Sequence, residues 1–163
     1  MKTNNSKISF LALVMMLVIS CDSNRVYDTY QSVSNQSWNT NETLEFSFNV
    51  LDTISKNNLF INIRNNNSYA FSNLFLITQM QFPNGQKIVD TLEYEMADAT
   101  GRFLGTGLTA IKESKLFYKE NAVFNKSGEY TFMIQQAMRK NGEIKGLNTL
   151  NGITEVGFRI EKK

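Results

Sequence analysis

The ionisable side chains of this chain offer few routes to catalysis. Its 163 residues contain no His and a single Cys, so the usual general base, the commonest zinc ligand and any Ser-His-Asp triad are missing. Four carboxylates lie close together in sequence, at Asp90, Glu93, Glu95 and Asp98. Two acids across a groove can hydrolyse a glycosidic bond, and acids can bind calcium, although the spacing of an EF-hand loop is absent.

The spacing of these acids favours a simpler interpretation. In an extended strand Glu93 and Glu95 share one face, whereas Asp90 lies on the other. We therefore interpret them as solvated charges on an exposed strand. We assign no catalytic residue, no metal ligand and no cofactor-binding residue, and the chain is not expected to be an enzyme.

Three glycines, Gly101, Gly105 and Gly107, surround Arg102 and Phe103. A phosphate-binding loop would continue with Lys-Ser/Thr and a helix, and neither follows here. The glycines indicate a tight bend that uses positive φ angles. Loops held by a rigid scaffold often carry recognition, and Arg and aromatic residues dominate interface hot spots, so these five residues form a candidate interaction loop. Alternatively, Phe103 only closes one end of the domain.

The N-terminal segment has the layout of a secretory signal peptide. Lys2 and Lys7 lie before an apolar run of about twelve residues, Ile8 to Ile19. This run is too short to cross a bilayer core of about 30 Å as a helix. The segment ends in Ser20 and Cys21, and the lone cysteine follows two aliphatic residues and a serine.

That ending resembles the bacterial lipobox, in which the thiol receives acyl chains such as palmitate and the leader is cut just before it. Several chains together anchor a protein stably, whereas one chain binds only marginally. We predict a lipoprotein signal peptide at 1–20, lipidated Cys21 with a short tether at 21–25, and a single domain at 26–163. The alternatives for Cys21 are an incidental cysteine in an ordinary signal peptide or a free thiol in a core.

The charge of the predicted mature chain argues against nucleic acid as a partner. The whole chain has 17 basic and 15 acidic residues; removing Lys2 and Lys7 leaves 15 of each. A basic excess for binding a phosphate backbone is therefore absent. With one Cys, no disulfide within the chain holds the domain together.

Apolar residues alternate with polar ones throughout the mature chain, which is typical of β-strands. The runs begin with Leu44–Val50, and Leu59–Ile63 is flanked by asparagines that are expected to end the strand. Leu74–Phe82 is apolar on both faces at first, which predicts a central strand. Pro83-Asn84-Gly85 then predicts a hairpin. The remaining predicted strands cover Lys87–Glu95, Leu116–Phe124, Glu129–Met138 and Val156–Ile160.

These patterns predict an all-β fold: a single β-sandwich of about eight strands, jelly-roll or immunoglobulin-like. The segment 139–152 is expected to be a loop with room for one helical turn. Four aromatic residues, Trp38, Tyr27, Tyr30 and Tyr69, either pack in the domain or form a platform that stacks on sugars.

Seven stretches along the chain, in order, resemble the gliding-motility lipoprotein family GldH of the Bacteroidetes. They are the lipobox at Cys21, Trp38 before Leu44–Val50, Phe82–Gly85, Ala97–Gly107, Gly128–Phe132, Gln135–Arg139 and Val156–Glu161. The resemblance implies a non-enzymatic envelope component needed for gliding, which works beside other motility lipoproteins. It implies no catalytic residues.

Two functions remain open from the sequence. The first is a lipid-anchored component of the gliding machinery that acts by contact with other envelope and gliding-motility proteins. The second is a lipid-anchored module that binds envelope polysaccharide. An outer-membrane position facing the periplasm is favoured, because no run of acids follows Cys21 of the sort that sends some lipoproteins of these bacteria to the cell surface.

Overall fold

The computed structural model describes residues 22–140 and 142–163, so Cys21 and the predicted leader at 1–20 lie outside the described residues. Ten strands and one short 3-10 turn at Ser34–Gln36 make up its regular structure. The strands are β1 Arg25–Ser32, β2 Ser37–Asn39, β3 Leu44–Val50, β4 Asn57–Asn65, β5 Asn73–Gln81, β6 Lys87–Glu95, β7 Lys112–Ala122, β8 Gly128–Gln136, β9 Thr149–Asn151 and β10 Ile153–Lys162. Among the described residues, no helix has the length and apolar character needed to cross a membrane.

The eight long strands form two antiparallel four-stranded sheets. One sheet has the order β1-β10-β4-β7 and the other has the order β3-β8-β5-β6. Counting only the long strands from one to eight, these orders are 1-8-3-6 and 2-7-4-5, the strand order of a jelly roll. The prediction of a β-sandwich is thus confirmed, and of the two kinds considered the strand order selects the jelly roll. The two remaining strands, β2 and β9, are only three residues long and pair with each other.

The alternation in sequence becomes an alternation of burial. In β3 every second side chain from Leu44 to Val50 is buried and those between are exposed, and β8 shows the same period of two. The predicted central strand is β5, which pairs with β6 on one side and β8 on the other. The predicted hairpin joins β5 to β6: the Phe82 N–H donates to Gln86 (2.8 Å), and Gly85 takes a φ of 81°. The alternation of apolar residues therefore predicted which faces of these strands are buried.

Aromatic side chains join the two sheets. Phe132 of β8 stacks on Phe158 of β10 with ring centroids 4.1 Å apart, and both side chains are fully buried. Phe46 and Phe48 of β3 pack against the same Phe158 ring at 6.3 and 5.7 Å. Because Phe132 and Phe158 belong to different sheets, their contact lies at the centre of the core.

The strand directions divide the loops between two ends of the sandwich. The N-terminal pole holds residues 22–24, the loops 51–56, 82–86 and 123–127, and Lys163. The distal pole holds the segment 33–43, which includes β2, and the loops 66–72, 96–111, 137–140 and 142–148. The candidate interaction loop at 101–107 thus lies at the distal pole, at the opposite end of the strands from Asp22.

Strand β4 begins and ends within the flanking asparagines, as predicted, but it extends two residues beyond Leu59–Ile63 at each end. Asn57 and Asn65 are the first and last residues of this strand, and both are buried. Strand β4 lies between β10 and β7 and pairs with both along its length. Neighbours on both sides override the weak local preference of asparagine for turns.

The segment 139–152 is largely a loop, as predicted, and its described residues contain no helical turn. The segment bends at Gly142, which has a φ of 81°, and ends in strand β9. The β9 residue Leu150 is buried opposite Trp38 of β2, whose indole N–H donates to the Glu42 carbonyl at 2.9 Å. Burying these two side chains favours a strand pair over a helical turn.

The stacked pair in the core gives a first prediction about stability. Phe132→Ala should lower the free energy of unfolding by about 3–5 kcal/mol, because it leaves a cavity between the two sheets. Phe117→Ala is the matched control: that ring is 47% exposed on the outer face of β7 and packs edge-on against Phe60. It should cost only about 1 kcal/mol. Urea unfolding of a soluble chain that starts at Asp22 measures both, and equal losses would contradict the assigned core.

Candidate functional site

The loop that follows β6 is organised by the side chain of Asp98. Its Oδ1 atom accepts hydrogen bonds from the Thr100 hydroxyl (2.6 Å) and from the N–H groups of Thr100 (2.9 Å) and Arg102 (3.0 Å). The Thr100 hydroxyl and the Arg102 N–H hold the pKa of the Asp98 carboxyl below its usual value. Gly101 occupies the left-handed region at the turn, with a φ of 83°. Asp98 is therefore occupied in shaping the loop.

Two glycines make the second half of the loop possible. Thr106 and Glu113 exchange two backbone hydrogen bonds of 2.8 Å, which closes a narrow turn. Within that turn Gly107 has a φ of 155°, and an added Cβ would overlap the carbonyl oxygen of Ile111. A Cβ on Gly105 would lie 2.8 Å from the Ser114 hydroxyl. Close backbone approach, which only glycine allows, thus fixes the shape of the loop.

Arg102 and Phe103, the two predicted contact residues, differ in accessibility. The Phe103 ring is partly buried and packs against Tyr69 at a centroid distance of 6.3 Å. Its backbone pairs with Ala97 across the loop. The Arg102 side chain is 85% exposed, and its one ion pair, with Asp98 at 3.3 Å, lies at the surface. Phe103 closes the end of the sandwich, and Arg102 projects into solvent.

Exposed aliphatic side chains accompany Arg102 at the distal pole. Leu104 is half-exposed, and Leu108 and Ile144 are almost fully exposed. Leu108 lies in the same loop as Arg102, whereas Ile144 belongs to the loop after β8. Large apolar side chains that are exposed on the loops of one pole suggest a contact surface. The distal pole therefore carries the exposed Arg102 side chain together with exposed apolar side chains.

An open groove of about 1170 Å³ borders this surface. Its walls are the Asp98 turn and the segment that contains Arg139, and its floor includes Phe71 and Phe75. Charges of both signs line it: Glu93, Glu95, Asp98, Arg139, Lys140 and Glu143. Side chains of mixed charge over an aromatic floor suit a polypeptide segment better than a single anion.

The four carboxylates do not converge on one catalytic point. Asp90 accepts a hydrogen bond from the Tyr118 hydroxyl (2.7 Å) and pairs with Lys119 (2.9 Å), which ties β6 to β7. Glu93 and Glu95 are exposed on the opposite face of β6, as their parity predicts. Among the described residues, no group of three or more His, Cys, Asp or Glu side chains has the arrangement of a metal site.

A second polar cluster covers the outer face of the sheet that contains β4. Arg64 bridges Glu113 (2.5 Å) and Glu155 (2.6 Å), and its guanidinium lies 4.3 Å from the Tyr30 ring centroid. The Tyr30 hydroxyl accepts from Asn62 (2.9 Å) and donates to Glu113 (3.1 Å). Burial, and then the nearby Glu113 charge, raise the pKa of Tyr30 to about 12. Both carboxylates pair with the same guanidinium, so this cluster joins β7, β4 and β10.

The four aromatic residues considered for sugar stacking do not share an exposed face. Trp38 and Tyr69 are buried, and Tyr27 packs against Phe48 and Phe158. Tyr30 lies against Gly157, where a Cβ would approach its ring to 2.9 Å. These four rings therefore do not form a common stacking surface.

Sequence reasoning found the loop at 101–107 but missed the groove beside it. The groove is built from segments far apart in the chain, around residues 70–75, 93–101 and 139–143. Their meeting depends on the jelly-roll connections.

The fold and the candidate site define a class: a jelly-roll domain with a groove and exposed loop side chains at one end. A family model described as GldH lipoprotein matches residues 25–160. The chain belongs to the GldH lipoprotein family.

Two relatives match over nearly their whole length. A gliding motility lipoprotein GldH homolog of Christiangramia forsetii is 53% identical over 148 residues, which cover 91% of this chain and 90% of that protein. The gliding motility lipoprotein GldH of Flavobacterium johnsoniae is 49% identical and covers 100% of this chain and 99% of that protein. A non-crystalline cellulose specific carbohydrate-binding module is a distant structural match, 7% identical with a TM-score of 0.42, covering 83% of this chain and 73% of that one. That similarity is too low to carry an inference.

The glycines of the loop give a second prediction. Gly101→Ala should lower the free energy of unfolding by about 1–2 kcal/mol, the cost of placing a side chain in the left-handed region where the space around it is open. Gly107→Ala should cost more, because its Cβ must also displace the Ile111 carbonyl and open the Thr106–Glu113 turn. Urea unfolding measures both variants. Equal stability of Gly107→Ala and the wild type would contradict the described loop.

Proposed function

We propose that this protein is a lipid-anchored component of the gliding-motility machinery and that it acts by binding other envelope proteins through its distal pole. The observation that carries the proposal is that the proposed anchor and the exposed loop surface lie at opposite ends of the sandwich. The chain runs toward Cys21 from one end of the sandwich, and the groove and the exposed loop residues lie at the other end.

The proposed anchor is Cys21, acylated after removal of the leader at 1–20. Support comes from the lipobox, from membership of a lipoprotein family and from the relatives' names, which describe gliding motility lipoproteins. Strand β1 begins at Arg25, so three residues separate it from Cys21. A tether of that length would hold the N-terminal pole against the membrane.

The distal pole would then stand away from the bilayer by the length of the sandwich. The long strands have seven to eleven residues, and at about 3.3 Å per residue they span roughly 30 Å. At that height the surface of Arg102 and Leu108 would be free to meet proteins beside or above the membrane. A fixed loop loses little conformational entropy on binding, which favours recognition.

The chemistry of the distal pole suggests the kind of segment it binds. Leu104, Leu108 and Ile144 would contact apolar side chains, and Arg102 would pair with a carboxylate of the partner. The groove beside them would accept an extended segment with charges of both signs. We assign no catalytic step to this surface, because its acids are exposed or engaged in loop hydrogen bonds.

We place the protein in the outer membrane, facing the periplasm. Residues Asp22-Ser23-Asn24-Arg25 contain one acid rather than the acidic run associated with export to the cell surface. Asp22 after Cys21 is an inner-membrane retention signal in some bacteria, but here its carboxylate pairs with Arg159 of the folded domain. That pairing would compete with recognition of Asp22 by a sorting factor.

The distal pole gives a third prediction. Arg102→Glu combined with Leu108→Asp in the native gene should abolish spreading of the cells, because it removes both the cation and the apolar contact. Both side chains are exposed, so the abundance of the protein should not change. Phe103 is left intact, since it packs against Tyr69 and its loss would destabilise the domain.

The control variant carries the same chemical changes elsewhere. Lys87→Glu combined with Val89→Asp alters two exposed residues of the edge strand β6 and should leave spreading normal. Normal spreading of the distal-pole variant would remove that surface from the proposal. Normal spreading of a clean deletion would remove the gliding function, and binding of envelope polysaccharide would become the better hypothesis.

A further inference from the structure

The N-terminal pole carries an exposed apolar surface that the fold does not use. Leu51 is 83% exposed and Ile54 is 86% exposed, and both belong to the loop between β3 and β4. Val26 of β1 and Val123 of the loop after β7 are also exposed. Val26 and Leu51 line one small cavity of about 160 Å³ with Phe124. Ile54 lies in the same loop as Leu51, so the exposed apolar side chains are grouped at this pole.

The loop presents its two apolar side chains in a fixed shape. Asp52 accepts hydrogen bonds from the N–H groups of Ile54 (3.0 Å) and Ser55 (2.9 Å) and from the Ser55 hydroxyl (2.6 Å). The Ser55 hydroxyl and these N–H groups hold the pKa of the Asp52 carboxyl well below its usual value. These three hydrogen bonds define the shape of the turn. Leu51 and Ile54 point outward from a built turn.

Exposed basic side chains lie at the same pole as the apolar patch. They are Arg25, Lys56, Lys126, Lys162 and Lys163. Lys162 pairs with Asp52 and Lys163 pairs with Glu120, whereas the other three form no ion pair within residues 22–140 and 142–163. Exposed apolar side chains with unpaired cations nearby are the combination that binds an anionic lipid surface.

The chain also enters the domain at this pole. Asp22 is held by an ion pair with Arg159, and the Lys162 N–H donates to the Asn24 carbonyl at 2.8 Å. The last described N-terminal residue therefore lies at the same pole as the basic residues. Cys21 follows it directly in sequence, so the acyl chains proposed there would leave from the same pole.

We propose that the N-terminal pole rests on the bilayer that holds the acyl chains, with Leu51 and Ile54 inserted among the lipids and the basic residues against anionic headgroups. The proposal rests on the lipid anchor at Cys21 proposed above. The acyl chains supply the affinity for the membrane, and the apolar patch fixes the orientation of the domain. With two attachments instead of one, the distal pole points away from the bilayer rather than swinging about the tether.

The test places an environment-sensitive fluorophore on the full-length lipoprotein. An acylated Cys21 cannot react with a thiol-specific label, so Ile54→Cys provides the one reactive thiol. Ala99→Cys, exposed at the distal pole, is the matched control. Both labelled proteins are reconstituted in vesicles of phosphatidylethanolamine and phosphatidylglycerol, and in parallel in vesicles of phosphatidylcholine.

The label at position 54 should emit at shorter wavelength and be quenched several-fold less by aqueous iodide than the label at position 99. The protection should be greater in the anionic vesicles. Equal quenching at the two positions in protein that floats with the vesicles would overturn this proposal and leave the anchor intact. Protection that disappears when the protein is diluted in lipid would indicate a second copy of the chain as the occupant, and would also overturn it.

Two further outcomes would contradict the anchor itself. Labelling of Cys21, seen by mass spectrometry in the wild-type protein, would show that the thiol is not acylated. A wild-type protein that remains in the soluble fraction would show the same, and either result would remove this proposal with the anchor.

Leu51→Ser combined with Ile54→Ser provides an independent measurement. It should expose a label at position 26, introduced as Val26→Cys, while the protein still floats with the vesicles.

Discussion

The pairing of the first strand with the last determines which end of the sandwich holds the N-terminus and which end holds the candidate interaction loop. Strand β1 lies antiparallel to β10 from Arg25 to Ser32, so the start and the end of the domain meet at one pole. Arg159 reinforces this pairing: its largely buried guanidinium binds Asp28 and Glu161, each at 2.5 Å, and also Asp22. A cation shared by three carboxylates fixes the direction in which the chain leaves toward Cys21. The positions of the loops then follow from the strand order.

The jelly-roll core keeps the two poles at a constant separation. The Phe132–Phe158 stack and the rings around it join the sheets at their centre, while Tyr118 and Tyr94 tie β7 to β6 at one edge. Neither pole has to move for the other to function. In the proposed arrangement one end of a rigid body binds lipid and the other end binds protein. The loops can therefore differ in chemistry while the strands between them stay the same.

The strands were predictable because burial on one face leaves a period of two in the sequence. The long strands β3, β5, β6 and β8, and the hairpin at Pro83, follow from that period and from turn residues. Strand β4 was predicted too short, because the asparagines at its ends are held in the strand by pairing with β10 and β7. That pairing cannot be read from the local sequence. The pair β2–β9 joins residues more than a hundred positions apart, and three-residue strands carry too little pattern to detect.

Only those parts of the candidate site that depend on local sequence could be predicted. Glycine spacing located the loop at 101–107, since the need for positive φ is a local property. The different surroundings of Arg102 and Phe103 are not local: Phe103 is covered by Tyr69, which lies more than thirty residues earlier. The groove and the apolar patch at the N-terminal pole likewise join separate segments. That their residues lie close together can be predicted only when the strand order of the sheets is known.

The proposed arrangement can be tested directly by photocrosslinking in gliding cells. A photoreactive amino acid is introduced at Leu108 of the distal pole in one strain and at Ile54 of the N-terminal pole in another, with expression at the native level. The proposed arrangement predicts crosslinks to envelope proteins from position 108 and no protein crosslinks from position 54, which would face lipid. Protein crosslinks from position 54 together with none from position 108 would contradict it.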